Sequence, residues 1–124
     1  MDHNPFAWIE IPVTNMKRAI TFYEKVFDIT IKPVDFGGFK MGWFPYAENK
    51  PGATGTLIQQ ETYVPSEKGP LVYFYSEDVS NELNRVESAG GKIYQEKTEI
   101  SPEHGFMGAF IDSEGNRVAL HSQN

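Results

Sequence analysis

Glu10, Tyr73, Tyr75 and His121 are the side chains of this sequence best equipped for chemistry. A carboxylate, an imidazole and two phenols suffice for general acid–base work, or for hydrogen-bonding a polar ligand. Each stands in a short β-rich segment. Side chains two apart on a strand share a face. Glu10 therefore sits beside Trp8, Tyr73 and Tyr75 beside Leu71, and His121 beside Ala119. Trp8, Trp43, Tyr73, Tyr75 and Phe106 are the rings that could wall a ligand pocket, with Phe44 as a further candidate; the competing reading of each ring is plain core. Glu10 could equally be a solvated strand-end carboxylate or a dimer contact, and His121 a solvated histidine near the C-terminus. His3 and His104 fall in loop-like stretches and are weaker candidates. Gln59 and Gln60 point to opposite faces of one strand, and the sequence does not say which faces inward.

Other chemistries find no footing. The chain of 124 residues has no cysteine, which removes disulfides, thiol nucleophiles and Cys-ligated metal sites together. Gly37-Gly38 and Gly90-Gly91 are turn signals without a phosphate-loop pattern. No Gly-x-Ser-x-Gly nucleophile elbow occurs. The net charge of −6 repels phosphate backbones, so no nucleic-acid partner is expected. No apolar run reaches the ~20 residues of a membrane span, and Met1–Pro5 lacks the basic start and apolar run of a signal peptide. The expected setting is cytoplasmic. Glu82, Arg85 and Glu87 look like a solvated helix face. Aromatic residues make up 14% of the chain, more than a small core requires, so some rings are candidates for a pocket lining.

The elements that must position these residues repeat. Phe6–Val13 reads as a strand. Thr14-Asn15 can cap a helix whose stripe is Met16, Ala19, Ile20, Tyr23, Val26 and Phe27. Strands follow at Ile29–Val34, Phe39–Phe44 and Thr56–Tyr63. Leu71–Tyr75 opens the pattern again, Asp78 caps a helix with Val79, Leu83, Val86 and Ala89 on its stripe, and Gly90-Gly91 ends it. Strands at Lys92–Glu96, Phe106–Ile111 and Arg117–Ser122 close the chain, the last two joined by the tight turn Ser113–Asn116. An offset of 63 positions places Ile9 on Val72, Ile11 on Phe74, Asn15 on Asp78 and Met16 on Val79. The expected organisation is one domain over 1–124, built of two units at about 5–63 and 70–123 joined by the Tyr63–Pro70 linker.

Three motifs carry a family likeness: Ile11-Pro-Val-Thr-Asn-Met-Lys-Arg-Ala-Ile-Thr-Phe-Tyr23, Val86-Glu-Ser-Ala-Gly-Gly-Lys-Ile93 and Asp112-Ser-Glu-Gly-Asn-Arg-Val-Ala-Leu-His121. With two βαβββ units, the chain resembles the vicinal oxygen chelate superfamily, which includes glyoxalase I, bleomycin-binding resistance proteins, fosfomycin-modifying enzymes and extradiol dioxygenases. The resemblance covers nearly the whole chain and is nearest the glyoxalase/bleomycin-resistance branch. It implies an α+β fold of tandem βαβββ modules whose curved mixed sheets form a cup, and commonly a homodimer. It also implies a place to look for metal ligands. Counting from the motifs, those positions fall on Trp8, Leu71, Ala119 and either Thr56 or Ile58. None offers the His, Glu or Gln that such sites use. No cofactor is therefore expected, although Glu10 with His121 could form half of a displaced divalent-metal site.

Two functions follow from the resemblance. The first is metal-independent binding of a small, planar or cationic molecule in an aromatic, acidic cup. The alternative is a lactoylglutathione-lyase-like lyase or isomerase that uses Glu10 or His121 for proton transfer. If Trp8 faces the cup, Glu10, Tyr73, Tyr75 and His121 could converge on one wall.

Overall fold

A computed structural model describes residues 2–124, apart from the Phe36 side chain; Met1 lies outside the described residues. The first unit runs β1 (Trp8–Pro12), α1 (Met16–Phe27), β2 (Lys32–Phe36), β3 (Phe39–Trp43) and β4 (Thr54–Gln59). The second runs β5 (Val72–Tyr75), α2 (Val79–Ala89), β6 (Lys92–Ser101), β7 (Gly105–Ile111) and β8 (Arg117–Ser122). Each unit makes a four-stranded mixed sheet, in the orders β1-β4-β3-β2 and β5-β8-β7-β6. The first strand of each pairs parallel with the last, and the remaining pairs are antiparallel. This is the expected α+β fold of tandem βαβββ modules.

The repeat holds at the level of single hydrogen bonds. Val13 N–H donates to the Ile58 carbonyl at 2.9 Å, and its counterpart Ser76 N–H donates to the His121 carbonyl at 2.8 Å. A strand side chain then caps each helix. Gln59 Oε1 accepts from Met16 N–H at 2.8 Å, and Ser122 Oγ from Val79 N–H at 3.2 Å. Asn15 and Asp78 add the expected N-caps, accepting from Arg18 and Ser80 N–H. First-turn amides have no partner within their own helix, so each cap removes an unsatisfied donor. At the other end, Gly90 takes the left-handed geometry that closes α2.

The core lies on the helix-facing side of both sheets. Ile11 and Leu57 come from the first, Val118 and Leu120 from the second, and both helices contribute to one continuous cluster. Helix α1 reaches across the units. Its Phe22 packs 5.8 Å from Phe110, and Phe27 packs 4.5 Å from Phe74. The buried Tyr23 hydroxyl donates to Asp112 at 2.6 Å, which ties α1 to the β7–β8 turn. Phe22 therefore joins the buried face of α1, beyond the stripe expected from spacing. Strand β6 also extends past its expected end at Glu96 to Ser101, with bulges along its pairing to β7. The Tyr63–Pro70 connection is irregular and is held by Ser66 N–H, which donates to Asn116 Oδ1 at 3.1 Å.

Candidate functional site

Strand register decides which side chains share a wall. Glu10 is in register with Thr56, and Thr56 with Trp43. These three, with Trp8, occupy the face of the first sheet that turns away from α1. Trp8 and Trp43 meet edge to face, with centroids 5.6 Å apart. They remain 44% and 38% exposed, an unusual outlay of apolar surface for two indoles. Glu10 is exposed beside them. Thr56 is fully buried, and its hydroxyl has no partner among the described residues.

The corresponding face of the second sheet carries Tyr73, Ala119, Tyr75, His121 and Met107, paired as Tyr73–Ala119, Tyr75–His121 and Met107–His121. Tyr75 is 81% exposed. His121 Nε2 lies 2.6 Å from the His104 carbonyl. A carbonyl only accepts, so Nε2 is the donor of this bond, and Nδ1 is the ring nitrogen left for another partner. His104 itself is held by Ser101. Near the turn end of the face, Arg117 lies over the Tyr94 ring, 5.1 Å from its centroid, and donates to its hydroxyl at 3.1 Å. Sequence reasoning passed over this pair, because β6 is bulged there and its facing does not follow from alternation.

The structure thus divides the four candidate groups. Glu10 belongs to the first sheet, and Tyr73, Tyr75 and His121 to the second. Among the described residues, no hydrogen bond joins Glu10 to the other three. Phe106 is also placed apart. It is in register with Ser122, whose hydroxyl caps α2, so its ring faces the helix layer and packs against the core. Lys97 Nζ sits 4.6 Å over that ring.

The open questions of register are resolved. The offset that pairs Glu10 with Tyr73 pairs Thr56 with Ala119, so Thr56 rather than Ile58 is the counterpart of Ala119. Gln59 turns to the helix side and caps α1, while Gln60 bonds Thr62. Among the described residues, no three His, Cys, Asp or Glu side chains gather as a metal cluster.

A cleft of about 450 Å³ opens elsewhere, between the free edges of β1 and β5 and under the Phe44–Thr54 loop. Its polar end holds Glu82, which corrects the reading of that residue as part of a solvated helix face. The Glu82 side chain is only 12% exposed and accepts from the Ser76 hydroxyl at 2.5 Å. Helical spacing alone places Glu82 on the rim of the α2 stripe, but does not reveal that β5 comes close enough to bury it.

Comparison with solved structures supports the fold. Glyoxalase I from Zea mays superposes with a TM-score of 0.71 at 20% identity, covering 96% of this chain and 46% of that one. The chain thus spans about half the length of the maize enzyme. The trypanothione-dependent glyoxalase I of Leishmania major gives 0.72 at 18% identity, over 97% of this chain and 87% of that one. TnmS3, an antibiotic binding protein from Streptomyces sp. CB03234, gives 0.68 at 16% identity, over 100% and 99%. No curated protein sequence matches the chain. No helix of the described residues is long and apolar enough to cross a membrane. The model of the Glyoxalase/Bleomycin resistance protein/Dioxygenase superfamily matches residues 6–120. Built from two βαβββ units and matched over almost its whole length, the chain belongs to that superfamily.

Proposed function

We propose that this protein binds a small planar or cationic molecule, without a metal, in an aromatic cup. The observation that carries the reading is the exposed Trp8–Trp43 pair beside the Glu10 carboxylate. Indole faces attract cations and flat rings, and a carboxylate at their edge adds charge complementarity. The Thr56 hydroxyl beneath them is a buried group still lacking a partner. The likeness to an antibiotic binding protein is in keeping with this role.

In this reading the chain acts as a homodimer in the cytoplasm. The Trp8 face of one copy and the Tyr73–Tyr75–His121 face of another close one cup, and the binding residues are Trp8, Trp43, Tyr73 and Tyr75. The support is that the two faces lie on separate sheets and both leave large rings uncovered. Phe106 acts as core support rather than as a wall of the cup. Nucleic acid and membrane have no part in this reading.

A second reading is favoured by one contact. His121 is oriented by the His104 carbonyl with Nδ1 free, which is the arrangement of a general base. With Glu10 brought across a dimer interface, the cup would perform lyase or isomerase chemistry of the glyoxalase kind. A displaced divalent metal on Glu10 and His121 would belong to this second reading.

Metal content separates the two. Untagged protein supplied with nickel, zinc, manganese and iron is expected to retain only traces after desalting. Near-stoichiometric metal that disappears in Glu10→Ala or His121→Ala would overturn the metal-free reading in favour of the enzyme.

A further inference from the structure

The cleft between β1 and β5 lies away from the Trp8–Trp43 wall of the cup, although Tyr73 and Tyr75, assigned above to the other wall, also line it. Ile9 and Ile11 line it from the side of β1 opposite to Trp8 and Glu10, and Phe27, Phe44 and Phe74 complete its floor. We propose that this cleft is a second binding site, separate from the Trp8–Trp43 face, which takes an apolar or aromatic molecule bearing a protonated amine.

Three features support the assignment. The volume, about 450 Å³, is in the range of small-molecule pockets. Apart from the buried Ile11, the floor is made of large apolar side chains that the core leaves only partly covered. The polar end is a carboxylate whose bonding is incomplete. Glu82 Oε1 takes the Ser76 hydroxyl at 2.5 Å, whereas Oε2 is 3.6 Å from the nearest Arg85 nitrogen, beyond hydrogen-bond reach. An ionised carboxylate withdrawn from water gains from a donor cation. Glu77 adds a second acid to the same lining, and Lys50, from the overlying loop, is its one base. Lys50 and Arg85 balance Glu77 and Glu82 in charge, so the open acceptor on Glu82 Oε2, rather than net charge, selects an ammonium head over a carboxylate. The apolar floor selects a hydrocarbon or ring tail.

Phenylbutylamine, phenylbutyrate and phenylbutanol serve as probes with one shared tail and three heads. Binding is followed on the full chain by the methyl NMR signals of Ile9, Ile11 and Ile29, all of which line the cleft. The amine is expected to shift these signals saturably and to bind at least about tenfold more tightly than the acid. Glu82→Gln is expected to remove that preference while leaving the alcohol unaffected. Trp8→Ala and Trp43→Ala, which disable the cup, are expected to leave the isoleucine shifts intact, so the two sites succeed or fail separately. Absence of isoleucine shifts with wild-type protein, or equal binding of amine and acid, would overturn the proposal without reliance on any variant. Shifts that depend on protein concentration in the absence of probe would assign the cleft to self-association and overturn it equally.

Discussion

Glu114, in the β7–β8 turn, grips Arg18 of α1 through two contacts, Nε to Oε2 at 2.7 Å and Nη2 to Oε1 at 2.9 Å. Its Oε1 also accepts the backbone N–H groups of Thr14 and Asn15, each at 2.9 Å. One carboxylate of the second unit therefore caps the entrance to the helix of the first. Charge at this end of a helix is favourable in sign as well, because the first-turn amides point outward.

That cluster makes stability depend on acid. Burial alone would raise the pKa of Glu114, but the Arg18 guanidinium and the Thr14 and Asn15 amides outweigh it and hold the carboxyl at about 2. A depressed folded pKa contributes stability that is present above the unfolded value and is lost as pH falls through the folded one. Urea midpoints measured from pH 5 down to about 2 are expected to fall along this limb, and Glu114→Gln is expected to flatten it. At pH 7 the variant should lose about 2 kcal/mol, the scale of hydrogen bonds to a charged group. A variant that keeps the wild-type acid slope would show that the ion pair does not couple to folding.

Tyr23 and Asp112 form the buried counterpart of this tie. Burial first, and the adjacent Asp112 second, hold the Tyr23 phenol well above its usual pKa, so it remains a donor. Tyr23→Phe is expected to cost about 1–2 kcal/mol, since Asp112 Oδ2 retains only Asn116 Nδ2, at 3.0 Å. Chemical denaturation would read this directly, and an unchanged midpoint would contradict the role given to the bond.

Gly55 fixes how closely β1 can approach β4. A methyl group there would collide with the backbone carbonyl of Ile9, which no rotamer change relieves. Gly55→Ala should therefore lose more than about 2 kcal/mol, whereas Gly37→Ala, in open space, suffers no such clash and only the strain of a left-handed backbone. Equal stability of the two variants would argue against the β1–β4 register.

Dimerisation is expected from the uncovered rings of the two sheet faces. Sedimentation velocity should give a dimer, and Tyr75→Asp together with Trp43→Asp should shift it toward monomer. A wild-type monomer at all concentrations would remove the basis for a shared cup.

Much of this was legible in the sequence because local rules governed it. The β-rich run Phe6–Val13, the cap residues Asn15 and Asp78 and the Gly90 stop each depend on a few neighbouring residues, and the offset of 63 then supplied the repeat of two units. What escaped depends on contacts distant in sequence. Phe22 is buried because α1 also packs on the second unit, which no single-helix pattern encodes. Phe106 packs against the core because register puts it opposite Ser122 rather than Ala119. Glu82 is half-hidden because β5 and its Ser76 lie alongside it. The grouping of Glu10 with His121 assumed that two faces known separately would meet, and within one chain they stand on different sheets.

The central claim is that the Trp8–Trp43 face is where a ligand sits. Both tryptophans of the chain lie on that face, so their fluorescence reports its occupancy without a label. Titration with planar cations, proflavine first, is expected to quench this emission saturably, with the effect lost in Trp43→Ala and weakened at least about tenfold in Glu10→Gln. Quenching that never saturates, or that persists unchanged in both variants, would contradict the account.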